Sequence, residues 1–103
     1  MKTIVSFTLD KQQYENVLDL CDKFDMNLSQ ILRLAFKNAL HFEGDTSLST
    51  YKSIKKGVRL SENDIRMLAF IMRNFNVKSI SEACRISLLL LVNQYSKDFN
   101  LNN

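Results

Sequence analysis

The chain has 103 residues, 46% of them apolar and 24% charged, with two glycines and no proline. That length suits one domain, or two very small units sharing a core, and the scarcity of helix breakers suits a mostly helical chain with short turns. The formal charge of +3 is unevenly placed: residues 1–50 hold five Lys/Arg and seven Asp/Glu, residues 51–103 hold nine and four. A basic second half points to a polyanionic partner, although a solvated basic surface explains charge alone equally well.

Met1–Asp10 (MKTIVSFTLD) alternates in polarity and lacks the continuous apolar core of a signal peptide. Period-two alternation predicts a strand over 3–9, with Val5, Phe7 and Leu9 on one face and Lys2, Ile4, Ser6 and Thr8 on the other. A helix is expected over 11–25, with an apolar stripe of Tyr14, Val17, Leu18, Cys21 and Phe24. A second helix is expected over 28–42, with Leu28, Ile31, Leu32, Ala35, Phe36, Ala39 and Leu40 inward. Residues 43–52 are polar and read as a linker long enough to bring the chain back beside its own first strand.

The order then recurs. A strand is predicted over 54–60, with Val58 and Leu60 inward and Lys55, Gly57 and Arg59 outward. Lys56 has inward parity and is expected to lay its stem on the ribbon's end with its ammonium in water. A helix over 62–75 offers Ile65, Leu68, Ala69, Met72 and Phe75, and another over 80–96 offers Ile80, Ala83, Cys84, Leu88, Leu91, Val92 and Tyr95. The last helix is apolar nearly all round and should be the more central of the pair. The run 86–92 (ISLLLLV) is far shorter than the ~20 residues of a membrane span, and a cytoplasmic location is expected.

Each helix opens with a capping pattern: Asp10 before Gln13, Asn27 before Gln30, Ser61 before Asp64, and Ser79 before Glu82. Cys21 and Cys84 occupy apolar helix positions without metal-ligand spacing, and read as small buried hydrophobes. His41, the single histidine, sits near a helix end with no partners for catalysis, and no glycine-rich phosphate loop is present. These features argue against an enzyme and imply no cofactor or metal.

The doubled order of strand, helix, polar break and helix resembles the ribbon-helix-helix superfamily of DNA-binding proteins. KGVRLSEND and SISEACRISL (residues 56–64 and 79–88) are similar to that family's strand end and second-helix start. The resemblance implies a mainly α fold with a two-stranded antiparallel β-ribbon, in which two ribbon-helix-helix repeats form one intrachain pseudo-dimer. The units would be 1–42 and 54–96, joined by a linker at 43–53 and followed by a frayed tail at 97–103. The tandem arrangement is similar to single-chain members found on conjugative plasmids and in archaeal viruses.

In this family the ribbon enters the major groove of double-stranded DNA. The resemblance therefore implies base contacts from Ile4, Ser6, Thr8, Lys55, Gly57 and Arg59. It implies phosphate contacts from Lys2 and from the starts of the second helices: Asn27, Leu28 and Ser29, and Lys78, Ser79, Ile80 and Ser81. Plain helix capping accounts for the latter residues too, and both roles can hold at once. Arg33 and Arg85, at matching positions, read as intrachain polar contacts. The expected function is a transcriptional regulator, a repressor above all, reading an asymmetric subsite because the two strands differ. Self-association of chains on DNA is a further possibility. A plasmid-transfer or partition accessory protein is the alternative within that class, and an antitoxin-like or adaptor module without DNA the alternative outside it.

Overall fold

A computed structural model describes residues 3–42 and 54–100, with the side chains of 96–100 left aside. Its elements in chain order are β1 (Thr3–Leu9), α1 (Lys11–Phe24), α2 (Leu28–Ala39), β2 (Ile54–Leu60), α3 (Glu62–Asn74) and α4 (Ile80–Asn100). The strands pair antiparallel in full register, from Thr3 opposite Leu60, through Ser6 opposite Gly57, to Leu9 opposite Ile54. Alternation then sorts the side chains: Val5, Phe7, Leu9, Val58 and Leu60 are buried, while Ile4, Ser6, Lys55, Gly57 and Arg59 face out. Lys56, opposite Phe7, is half-buried, and its Nζ stands 4.9 Å from the centre of the Tyr14 ring. That cation–π contact is how a lysine of inward parity is accommodated.

The helices begin where their caps dictate. Asp10 and Gln13, Asn27 and Gln30, and Ser61 and Asp64 each exchange side-chain-to-backbone hydrogen bonds in reciprocal capping boxes. At α4 the Ser79 Oγ accepts from the Glu82 amide at 3.3 Å. The turns after α1 and α3 both use a residue with φ near 54°, Asp25 and Asn76, and both close with a bond back across the last turn: the Met26 amide donates to the Cys21 carbonyl, and that of Val77 to Met72.

One hydrophobic cluster gathers residues from both strands and all four helices. α4 is its centre: every residue from Ala83 to Leu88 is buried, including Arg85 and Ser87, and the helix packs on β1 and on α1, α2 and α3. The Phe24 and Tyr95 rings meet edge-to-face with centres 4.8 Å apart, tying the end of α1 to α4.

Two ribbon-helix-helix repeats docked as a pseudo-dimer are not what the chain forms. The described residues carry a single two-stranded ribbon, one strand from each half, so neither half has a ribbon of its own. The halves are also unequal: α2 has 12 residues and buries one face, whereas α4 has 21 and is buried all round from Ala83 to Leu88. The physical reason is that a strand needs a partner and each half supplies one strand, so the order of elements recurs in sequence without making two like units in space. Residues 43–53, expected as linker, and the tail beyond Asn100 lie outside the described residues; over 97–100 the chain is helical where fraying was expected.

Smaller corrections concern the helix faces. Leu18 and Leu40 are exposed, as are Ala69 and Ile80, and Leu20, Ile71 and Ile86 take core places instead. α1 turns Tyr14, Val17, Cys21 and Phe24 to the core as expected, with Leu20 buried in place of Leu18. α2 ends at Ala39, three residues before the expected boundary, leaving Leu40 and Phe42 beyond the packed turn.

Both cysteines are free thiols. Burial pushes the Cys84 thiol up to about 12, partly countered by the neighbouring Arg85 charge, and raises that of half-buried Cys21 as well. Since the thiolate is the reactive form, an alkylating reagent at mildly alkaline pH is expected to label Cys21 slowly in the folded protein and Cys84 only on unfolding. Mass-spectrometric labelling along a urea series checks this, with Cys84 modification tracking the unfolding transition.

Candidate nucleic-acid interface

The outward face of the ribbon is built from three cross-strand pairs: Ile4 with Arg59, Ser6 with Gly57, and Thr8 with Lys55. Ile4 is 67% exposed. Ser6, Lys55, Gly57 and Arg59 are exposed beside it, and among the described residues neither Lys55 nor Arg59 is in a salt bridge. A Cβ placed on Gly57 would meet Ile4 Cγ2 at 3.9 Å and Ser6 Oγ at 4.0 Å, which is ordinary van der Waals contact, and the glycine's backbone is not in the left-handed region. Nothing inside the chain therefore demands glycine at the middle of this face.

Thr8 differs from its neighbours. It is half-buried, its Oγ1 accepts from Arg85 Nη1 at 2.9 Å, and its carbonyl accepts from the same nitrogen at 3.2 Å. Its amide donates to Ser81 Oγ at 3.2 Å, and that oxygen also accepts from Arg85 Nη1 at 2.8 Å. The end of β1 is thus clamped to the first turn of α4, and the Thr8 hydroxyl is partly occupied by that clamp. Ser81, expected at phosphate, belongs to the same knot. Of the other helix-start residues, Asn27, Lys78 and Ile80 are exposed, Ser29 and Ser79 are half-buried, and the Leu28 side chain packs against the core, leaving only its backbone for contact. Lys2 lies outside the described residues.

On the other side of the fold Arg33 of α2 grips the N-terminus of α3. Its Nε lies 3.0 and 3.2 Å from the two Asp64 carboxylate oxygens, and its Nη2 is 3.1 Å from Oδ2. Asp64 also accepts from the Ser61 amide at 2.9 Å, so one buried carboxylate closes both a cap and an ion pair. Burial alone would push this carboxyl up; the bonds from Arg33 and Ser61 and the guanidinium charge outweigh it and hold the carboxyl below the usual carboxylate range. Both arginines make the intrachain polar contacts expected from their matching helix positions. The buried partner in each case could not be read, because Asp64 and Thr8 look like a plain helix-start residue and a plain strand residue.

Comparison with models of protein families, with curated proteins and with solved structures gave no match. Among the described residues no helix is long and apolar enough to cross a membrane.

Replacing Asp64 with Asn is expected to lower stability at neutral pH by about 1–3 kcal/mol, since it weakens the charged bonds to Arg33 and the cap together. A carboxyl held below its unfolded value contributes stability that is complete above about pH 4 and fades as the pH falls through its folded value. Urea unfolding over an acid pH series should therefore show a shallower decline in Asp64→Asn than in the parent.

Proposed function

We propose that this chain binds double-stranded DNA sequence-specifically by laying the outward face of its single ribbon in the major groove, and that it acts as a transcriptional regulator, in the first instance a repressor. The regulatory reading rests on the resemblance to ribbon-helix-helix proteins at the strand end and second-helix start. The observation that carries the DNA reading is the ribbon's composition: an exposed isoleucine, a serine, two cations without carboxylate partners among the described residues, and a central glycine, all on one face.

The chemistry suits a groove. A two-stranded ribbon fits the ~12 Å width of the major groove, where each base pair shows a distinct set of donors and acceptors. Arg59 can donate two parallel bonds to guanine O6 and N7; Lys55 can reach a guanine acceptor or a phosphate. Ser6 supplies a hydroxyl, and Ile4 can pack on a thymine methyl. Thr8, tied to Arg85, contributes as a positioned edge of the ribbon more than as a free hydroxyl. Lys78 and the starts of α2 and α4 are suited to phosphates flanking the ribbon, where free helix amides and the dipole favour an anion. Lys2 is assigned to phosphate on its place in sequence alone.

Selection on the protein's own genomic DNA, followed by titration of the selected duplex at several salt concentrations, tests the reading. Affinity should fall by orders of magnitude as salt rises, on a straight log–log line whose slope counts phosphate contacts. Duplex binding that is absent, or indifferent to salt, would remove the proposal and favour an adaptor. Arg59→Ala should weaken binding to the selected site by about 1–3 kcal/mol and relax its sequence preference, with folding stability changed by less than about 0.5 kcal/mol.

Gly57→Ala separates fold from function at one atom. The chain has room for the methyl group, and a glycine in a strand interior weakens it, so stability should hold or rise by up to about 1 kcal/mol. Affinity for the selected duplex should fall, because the added carbon stands where the ribbon meets the groove floor. Equal affinity in the variant would show that close approach at residue 57 is not used.

A further inference from the structure

Arg33 and Arg85 are each the sixth residue of their helix, α2 and α4, and Asp64 and Gln13 are each the third residue of theirs, α3 and α1. Arg33 receives the Asp64 carboxylate. The corresponding place in α1 holds an amide, and among the described residues Arg85 has no carboxylate hydrogen-bond partner. Its Nη1 donates to the Thr8 carbonyl, the Thr8 hydroxyl and the Ser81 hydroxyl, all neutral. Its Nε is buried and has no hydrogen-bond partner among the described residues, in a residue only 3% exposed. Burying a cation without a counter-charge, and an N–H without an acceptor, are among the heavier penalties a fold can carry.

The same arginine forms part of the wall of a cavity of about 50 Å³ between α1, α4 and the end of β1. Leu9, Val17 and Leu88 make its apolar side, and Gln13 and Asn16 line it with amides. A water needs about 10–15 Å³ of such space, so the cavity takes a group of roughly four non-hydrogen atoms or a little more. We propose that it binds a small organic monocarboxylate carrying a short alkyl chain. The carboxylate takes the cavity side of the Arg85 guanidinium and supplies the counter-charge that Asp64 supplies to Arg33, and the alkyl part lies against Leu9, Val17 and Leu88. A phosphate or sulfate is disfavoured because a single guanidinium in a mostly aliphatic wall offers too little to a dianion. Chloride would meet the charge and leave the apolar space unfilled. The proposal is independent of the DNA reading.

The test is an NMR titration of the uniformly ¹⁵N-labelled full chain with acetate, propionate, butyrate and hexanoate at constant ionic strength, with sodium chloride as reference. The expected result is a saturable shift of the Arg85 Nε–H signal and of the Gln13 and Asn16 side-chain amides, with the Thr8 and Ser81 backbone amides following. Affinity should tighten about three- to four-fold from acetate to propionate, then level off at butyrate and hexanoate as the cavity fills. Gln13→Asp supplies an internal carboxylate at the position Asp64 occupies in α3. That variant should stay folded, judged by its own spectrum, and lose the carboxylate response. Absence of saturable shifts, an equal response to chloride, or full retention of affinity in folded Gln13→Asp would each overturn the proposal.

Discussion

The fold depends on the pairing of Thr3–Leu9 with Ile54–Leu60. Each strand alone would expose two rows of unpaired amides and carbonyls and one apolar face; together they pair one edge of each and give the helices an apolar floor to pack on. Five side chains on the inner face, Val5, Phe7, Leu9, Val58 and Leu60, are all buried, and burying a large aliphatic or aromatic group contributes about 1.5–3 kcal/mol. Their sum is comparable with the whole net stability of a small domain, about 5–15 kcal/mol. The register also matters: a slip of one residue would turn one strand over against the other, putting either Phe7 and Leu9 into water or Lys55 and Arg59 into the core. The face offered to a partner is therefore fixed by the same alternation that makes the core.

The ribbon's roots are held by two arginines that use unlike means. Arg33 is half-exposed and paired with a buried carboxylate, so its charge is balanced and hydrated. Arg85 is buried and ties a strand to a helix through neutral oxygens, so its charge is positioned without being balanced. A buried arginine makes a stiff link, because its planar group must satisfy several acceptors at once and leaves little freedom to the elements that supply them. The β1 end of the ribbon, joined to α4, is accordingly the better anchored of the two roots.

Much of the fold was legible in the sequence where a local rule dominates. Strand limits followed from strict alternation, and helix starts from Asp10, Asn27, Ser61 and Ser79, because both signals are set by residues within a few positions of one another. Helix ends were less legible: nothing local marks Ala39 as the end of α2, or carries α4 to Asn100. On α1 the expected stripe is correct at Tyr14, Val17, Cys21 and Phe24 and fails only at Leu18, because Leu18 and Leu20 are equally apolar and only the packing partner decides between them. Reading the recurring order as two repeats erred for a larger reason. Capping residues and alternation recur in sequence, but whether they build like units depends on how strands are shared and on the central burial of α4, which are long-range facts. For the candidate interface, alternation correctly marked which side chains face outward. It could not show that Thr8 is engaged by Arg85, a contact across most of the chain's length.

The outer face of the ribbon also has a sense of direction. A half-turn about the Ser6–Gly57 pair would lay Ile4 where Lys55 stands and Thr8 where Arg59 stands, replacing a hydrocarbon and a hydroxyl with two cations. No such rotation superposes the surface on itself. An elongated partner resting on it meets its charged strand on one flank and its uncharged strand on the other, so the two ways of laying that partner down differ in energy. A molecule with this surface can mark which way is forward along whatever it grips.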